Sequence, residues 1–306
     1  MSTSSIDPKQ FGVSFSAKQC RNFSLDTSET LEWLIKDAGF RRFRLMSYWN
    51  DNEKAQGQLD FTELDMQFRL IEEAGGVISL GLGARQPRWP ENHWPGWAWE
   101  APKTQRSEAL LQYIATVVER YKDSPALISY QLENEALLED FGVNGEVDRQ
   151  RLRQEFELVK RLDPIKPIIM TTSTSWGIPL RNPIPDIVGF SFYHTLYNKG
   201  AYRKSNFYPW THRLRKALIK ILHRKPTFIH ELQCEPWGPT AIWKMPISEQ
   251  DKSMSTKHIA ENIRLARAIN APPVDLWGGE WWYWRLKNGD PSIWNTVRQE
   301  LNNKFD

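Results

Sequence analysis

Residues 11–20 read FGVSFSAKQC, and the residues after the first strand decide between two folds. Phe11 to Phe15 is a short apolar run of the kind that forms a buried strand. A doubly wound open sheet usually places a glycine fingerprint, G-x-G-x-x-G, directly after such a strand. Here the strand runs into SFSAKQC, which carries no such fingerprint. That favours a sheet closed on itself.

Downstream, short apolar runs alternate with segments of helical period. Asp26 and Glu29 form a capping-box-like start for a helix carrying Leu31, Leu34, Ile35 and Ala38, closed by Gly39. Phe40 to Met46 is the second strand, and Phe61, Leu64, Phe68 and Ile71 mark the face of the next helix. Gly76 to Leu82 is the third strand. Its helix bears Leu110, Tyr113, Ile114, Val117, Val118 and Tyr121 at i, i+3, i+4, i+7 spacing. Ala126 to Asn134 is the fourth strand, followed by a helix with Leu152, Phe156 and Val159 that Asp163-Pro164 ends. Pro167 to Thr172 and Ile187 to Phe192 are the fifth and sixth strands, with only a short proline-rich link between them. Leu214, Ala217, Leu218, Ile221 and Leu222 mark the next helix by a stripe expected to face the barrel. Thr227 to His230 and Val274 to Trp277 are the last two strands, separated by a helix near Ser255 to Ile269. Asp290-Pro291 opens a final helix with Ile293, Trp294 and Val297.

Eight strands with their helices predict one (β/α)8 barrel, a TIM barrel, over residues 1–306. No internal repeat or linker divides the chain. Arg85 to Glu100 is the longest irregular piece, expected as a loop over the barrel mouth.

Composition narrows the function. The formal net charge is only +3, which gives little support to a nucleic-acid footprint. Two cysteines, Cys20 and Cys234, rule out a disulfide scaffold and a four-cysteine zinc site, and are expected as reduced thiols. No apolar run suits a membrane helix, and no metal or nucleotide motif occurs, so no cofactor or integral membrane contact is expected. The opening MSTSSIDPKQ lacks the regions of a signal peptide. A cytoplasmic monomer is the default expectation, or a secreted one if a leader has been removed.

The functional face of such a barrel is the C-terminal end of its strands. The fourth strand ends SYQLENEALLEDFG, with Asn134 and Glu135 at its tip, and the seventh ends TFIHELQCEPWG, with Glu231 at its tip. Two carboxylates on nearby strand ends are the minimum equipment for glycosidic hydrolysis, one as acid/base and one as nucleophile. Period-2 alternation directs Glu133 along the same side as Glu135, deeper in the barrel. Glu235 and Glu280 are rival carboxylates, whereas Glu53, Glu139 and Asp140 are expected as loop surface.

The pattern resembles clan A glycoside hydrolases, the retaining barrel enzymes that include cellulases and mannanases. By that resemblance Glu135 would be acid/base, Glu231 the nucleophile, and Asn134 a donor to the sugar 2-hydroxyl. Arg44 in FRLMSYW matches the clan's second-strand arginine, and Tyr193 and His194 in SFYHTLY match positions after the sixth strand. Trp281 or Trp282 in GGEWWYW matches the tryptophan platform after the eighth. The sequence departs from the clan at Ala136, where proline is usual, and at the third strand's end, GLGARQPRWP, which carries no histidine. The implied activity is retaining cleavage of a β-linked oligo- or polysaccharide. Transglycosylation on the same residues and a catalytically silent sugar-binding barrel are the alternatives. A barrel hydrolase of unrelated chemistry would need a metal cluster or a Ser/Cys nucleophile that the sequence does not display.

Tryptophan is the compositional outlier, with 15 copies. Trp89, Trp94, Trp97 and Trp99 crowd the loop after the third strand. Trp176, Trp237 and Trp243 fall after later strands, as do the indoles of GGEWWYW. Indoles pack on the apolar faces of pyranose rings, and Arg85, Gln86, Arg88 and Asn92 could meet the hydroxyls. The loop is therefore expected to wall a sugar cleft. Six basic residues and no acid lie between Thr211 and Lys225. Such a helix suits a membrane surface or a polyanion, but an ordinary solvated face is the expectation.

Overall fold

The computed structural model describes residues 6–138, 141–143, 145–174 and 177–302. Trp176, Glu139 and Asp140 fall outside the described residues. Among the described residues ten strands run in chain order: β1 (Phe11–Ser14), β2 (Arg42–Met46), β3 (Val77–Leu82), β4 (Leu127–Leu132), β5 (Ile168–Thr172), β6 (Ile187–Phe192), β7 (Thr195–Asn198), β8 (Ala201–Lys204), β9 (Thr227–Gln233) and β10 (Val274–Trp277). Eight of them close into a parallel barrel in the order β1-β2-β3-β4-β5-β6-β9-β10, with β10 pairing back onto β1. All eight expected strands are present. The hairpin β7–β8, which the sequence reading did not anticipate, stands outside the barrel.

The helices pack where their stripes say they should, with one exception. Asp26 caps the helix Thr27–Lys36, its Oδ1 accepting the Glu29 N–H at 2.7 Å. The helix Lys103–Tyr121 buries all six residues of its predicted stripe. Among the described residues no helix lies between β5 and β6, as expected. In the helix Pro209–His223, however, the side turned inward carries His212, Arg215 and Ile219. The Arg215 guanidinium sits 4.3 Å over the Phe190 ring, and His212 stacks on the same ring at 5.2 Å. These contacts fix the helix's rotation. Leu214, Ile221 and Leu222 are left exposed, contrary to expectation.

The barrel interior is polar, and its charged groups are paired. Asp275 of β10 accepts Arg42 Nε at 2.8 Å and meets His230 Nδ1 at 2.7 Å. Burial alone would raise the Asp275 pKa, but the Arg42 charge and the His230 hydrogen bond outweigh it and hold it at about 2. Gly12 makes room for this cluster, since a Cβ there would lie 2.3 Å from Asp275 Oδ1. Both cysteines are free and buried.

Candidate active site

A cavity of about 700 Å³ opens at the C-terminal ends of the strands, within the usual size of ligand sites. Its wall includes Glu135, Glu231, Asn134, Glu91, Glu235 and Tyr193. Glu231 lies within β9 rather than beyond it, in register with Ser191 of β6. Asn134 and Glu135 come just after β4 ends at Leu132.

Arg44 organises this floor. From β2, its Nη1 donates to Glu231 Oε2 at 2.6 Å, its Nη2 to Asn134 Oδ1 at 3.0 Å, and its Nε to Gln131 Oε1 at 2.6 Å. The guanidinium fork thus fixes Glu231 and Asn134 from opposite sides. The Tyr193 hydroxyl donates to the other Glu231 oxygen at 2.6 Å. Ser191 Oγ donates to Glu135 Oε1 at 2.7 Å, and the Glu135 N–H reaches Thr171 Oγ1 at 2.8 Å. Burial, reinforced by the charge on Glu231, pushes Glu135 up to about 7.

The backbone aims these groups. Glu133 and Glu135 both adopt left-handed φ, 49° and 45°, which are sparsely populated values for glutamate. This breaks the strand alternation, so Glu133 does not share Glu135's side. Its carboxylate instead accepts the backbone N–H groups of Ala84 and Arg85. Gly83 accommodates it, with φ 101° and an ideal Cβ position 2.5 Å from the Glu133 carboxyl carbon.

Glu91, which the sequence reading did not single out, joins the site from the β3 loop. Its Oε2 accepts Asn134 Nδ2 at 3.2 Å. Burial and the charges of Glu231 and Glu135 push its pKa up to about 8. Farther along the wall, Arg88 ion-pairs with Glu235 and, at 3.0 Å, with Glu280, while lying 4.0 Å over the Trp277 ring. Trp277 Nε1 donates to Glu235 Oε1 at 2.9 Å.

Several expected binding residues lie elsewhere. Trp281 and Trp282 are fully buried because the segment after β10 forms the helix Gly279–Lys287. Their indole N–H groups are taken by Gln250 Oε1 at 2.7 Å and the Cys234 carbonyl at 2.8 Å. The tryptophan that reaches the cavity from this part of the chain is Trp277, at the end of β10. His194 turns toward Glu261, 3.5 Å from its Nε2, and does not line the cavity. Arg85 is a structural tie, donating to the carbonyls of Leu138 and Phe141 at 2.8 and 3.2 Å. Gln86 is likewise buried against the Ser47 and Gly83 carbonyls, and Asn92 is buried away from the cavity wall. Glu53 is buried rather than exposed, accepting Trp49 Nε1 at 2.6 Å.

The loop tryptophans divide. Trp89 is 66% exposed and lines the cavity mouth. Trp94 and Trp97 instead pack on Trp49, each at 5.6 Å, and Trp99 meets Trp94 at 6.1 Å. On the opposite wall Trp237 and Trp243 both reach the cavity, and Trp237 stacks on Phe141 at 5.8 Å.

No protein-family model matches the sequence, and no curated protein sequence matches it. Solved structures of similar fold are glycoside hydrolases. GH5_18 from Streptomyces cattleya, in complex with GlcNAc, superposes with a TM-score of 0.65 at 13% identity, over 99% of this chain and 82% of that one. A glycosylated endo-β-1,4-xylanase of family GH10 from Gloeophyllum trabeum gives 0.63 at 14% identity, covering 97% and 98% of the two chains. An exo-β-1,4-mannosidase from Opitutaceae bacterium strain TAV5 gives 0.59 at 16% identity, covering 98% of this chain and 60% of the other. The likeness is one of fold: the chain shares the eight-stranded parallel barrel of these enzymes.

Proposed function

We propose that the protein is a retaining glycoside hydrolase acting on β-linked oligo- or polysaccharide. The observation that carries this reading is the contrast between two carboxyls in one cavity. Glu231 is ion-paired to Arg44 and hydrogen-bonded by Tyr193, whereas Glu135 is held near neutrality by burial and by the Glu231 charge. Double displacement needs this division of labour.

In the first step a Glu231 oxygen attacks the anomeric carbon as the bond to the leaving oxygen breaks, and Glu135 gives its proton to that oxygen. In the second, the Glu135 carboxylate takes a proton from water. The water oxygen attacks the anomeric carbon, releasing Glu231 as carboxylate and restoring the Glu135 acid. Arg44 holds Glu231 and Asn134 together, and Asn134 would donate to the sugar 2-hydroxyl. Trp89, Trp237, Trp243 and Trp277 offer indole surface to the sugar rings.

The test is a pair of variants assayed on an activated aryl β-glycoside. Glu231→Ala should lose turnover outright. Glu135→Ala should still form the glycosyl-enzyme, because a good leaving group needs little proton donation, and azide should restore turnover as a β-glycosyl azide. Equal loss in both variants without azide rescue would overturn the assignment.

A further inference from the structure

We propose that the helix Pro209–His223 is a docking surface for an anionic lipid bilayer. Its outward side combines an apolar stripe with unpaired cations, and neither belongs to the sugar cavity. Trp210, Leu214, Ile221 and Leu222 are 60%, 46%, 74% and 55% exposed. At about 100° per residue, Trp210, Leu214, Ala217 and Ile221 fall on one stripe, Arg213 and Lys220 flank it on one side, and Arg224 follows as the left-handed C-cap. All three cations face solvent, without a carboxylate partner among the described residues. Lys225, by contrast, meets Asp186 at 3.5 Å.

Two features of the fold keep this stripe uncovered. Arg215 and His212 lock the opposite side of the helix onto Phe190, so the helix cannot roll its leucines inward without breaking those contacts. One flank packs on the helix Thr256–Ile269, where Lys216 Nζ donates to the Asn270 carbonyl at 2.5 Å. On the other flank Arg215 Nη1 donates to the Ser173 carbonyl at 3.1 Å, at the start of the β5–β6 link, where no helix lies among the described residues.

Charge selects the occupant. A second copy packed antiparallel on this stripe would bring Arg213, Lys220 and Arg224 against their own like charges, and one packed parallel would leave them unneutralised. An anionic bilayer satisfies both halves of the surface: lipid head groups take the cations, and the interfacial acyl region takes the tryptophan, leucine and isoleucine. Tyr208, also exposed, extends the aromatic end toward the head-group level. Among the described residues no helix is long and apolar enough to cross a membrane, so the contact proposed is peripheral.

The experiment is co-sedimentation of the full chain with vesicles of pure phosphatidylcholine and of equal parts phosphatidylcholine and phosphatidylglycerol. The protein should partition onto the anionic vesicles, less so as salt is raised, and not onto the neutral ones. The double variant Arg213→Gln/Lys220→Gln should weaken partitioning by about thirtyfold, and Leu214→Gln/Ile221→Gln by at least tenfold. Thermal unfolding should be unchanged in both, because all four side chains are exposed. Equal binding to neutral vesicles, no binding to either kind, or variants that bind like the parent would overturn the proposal. So would concentration-dependent dimerisation abolished by Leu214→Gln/Ile221→Gln without vesicle binding, which would assign the surface to a second copy.

Discussion

Arg44 and Glu231 meet across the barrel floor at 2.6 Å, Nη1 to Oε2, with both side chains nearly sealed from solvent. Because the same guanidinium holds Gln131 and Asn134, three strands are tied through one side chain. Removing one partner of a buried pair strands the other, at about 3–5 kcal/mol. Arg44→Met should therefore lower unfolding stability by that order in urea titrations at neutral pH. Arg44→Lys should lose less stability but still drop kcat/KM by about a hundredfold, since a single ammonium cannot reproduce the fork.

Ser191 sits between the two proposed catalytic carboxyls, in register with Glu231 and donating to Glu135. That donation favours the charged form of Glu135 and opposes the burial that raises its pKa to about 7. General acid catalysis needs the protonated form, so kcat/KM should be sustained below about 7 and fall above it. In Ser191→Ala the carboxyl should hold its proton to higher pH. The alkaline limb of the pH profile should move upward by about one unit. A limb that stays in place or moves downward would contradict the link.

Glu91 carries a pH-dependent burden on stability. Its folded pKa of about 8 stands above its ordinary 4.5, so the folded state keeps a proton that the unfolded chain releases. Folding stability should then fall as pH rises across that window, by on the order of 2–4 kcal/mol from this group. Glutamine mimics the neutral acid without titrating. Glu91→Gln should match the parent near pH 5 and unfold at a higher temperature at pH 9, as followed by circular dichroism. Activity near pH 6 should survive Glu91→Gln but not Glu91→Ala, which removes the acceptor of Asn134 Nδ2.

The barrel was legible because strand and helix periods survive in the sequence, and the meeting of Glu135 and Glu231 in one cavity was legible because both sit at the C-terminal ends of strands. What failed was whatever depended on backbone conformation outside that periodicity. Period-2 alternation puts Glu133 on the wrong side because the left-handed backbone at Glu133 and Glu135, on either side of Asn134, has no periodic signature. Glu91 lies in a loop where Arg88 and Glu91 adopt φ of 96° and 70°, and only its position between two tryptophans hinted at the cavity.

Trp281 and Trp282 depart from expectation for a different reason. GEWWYWRLK follows a strand end that should be functional, yet the segment is helical and turns both indoles into the core. In the helix Pro209–His223, the apolar stripe predicts the wrong buried side. The barrel instead took an arginine and a histidine because Phe190 offered them an aromatic face. Apolar period alone does not say which side of a helix is inward when polar side chains can stack.

The loop after β3 offers a direct comparison between recognition and packing within one short segment. Trp89 is mostly exposed at the cavity mouth, whereas Trp94 is buried in the cluster around Trp49. If Trp89 serves sugar rings, Trp89→Ala should weaken binding of longer oligosaccharides by about 1–3 kcal/mol and leave the melting temperature nearly unchanged. Trp94→Ala should do the reverse, lowering unfolding stability by about 3–5 kcal/mol through the cavity it leaves. Its effect on oligosaccharide affinity should be small where the variant remains folded. Calorimetric titration and thermal unfolding on the same two proteins separate these outcomes. A stability loss without an affinity loss in Trp89→Ala would place that indole with its neighbours in the packed cluster, and the sugar-binding wall would then rest on Trp237, Trp243 and Trp277 alone.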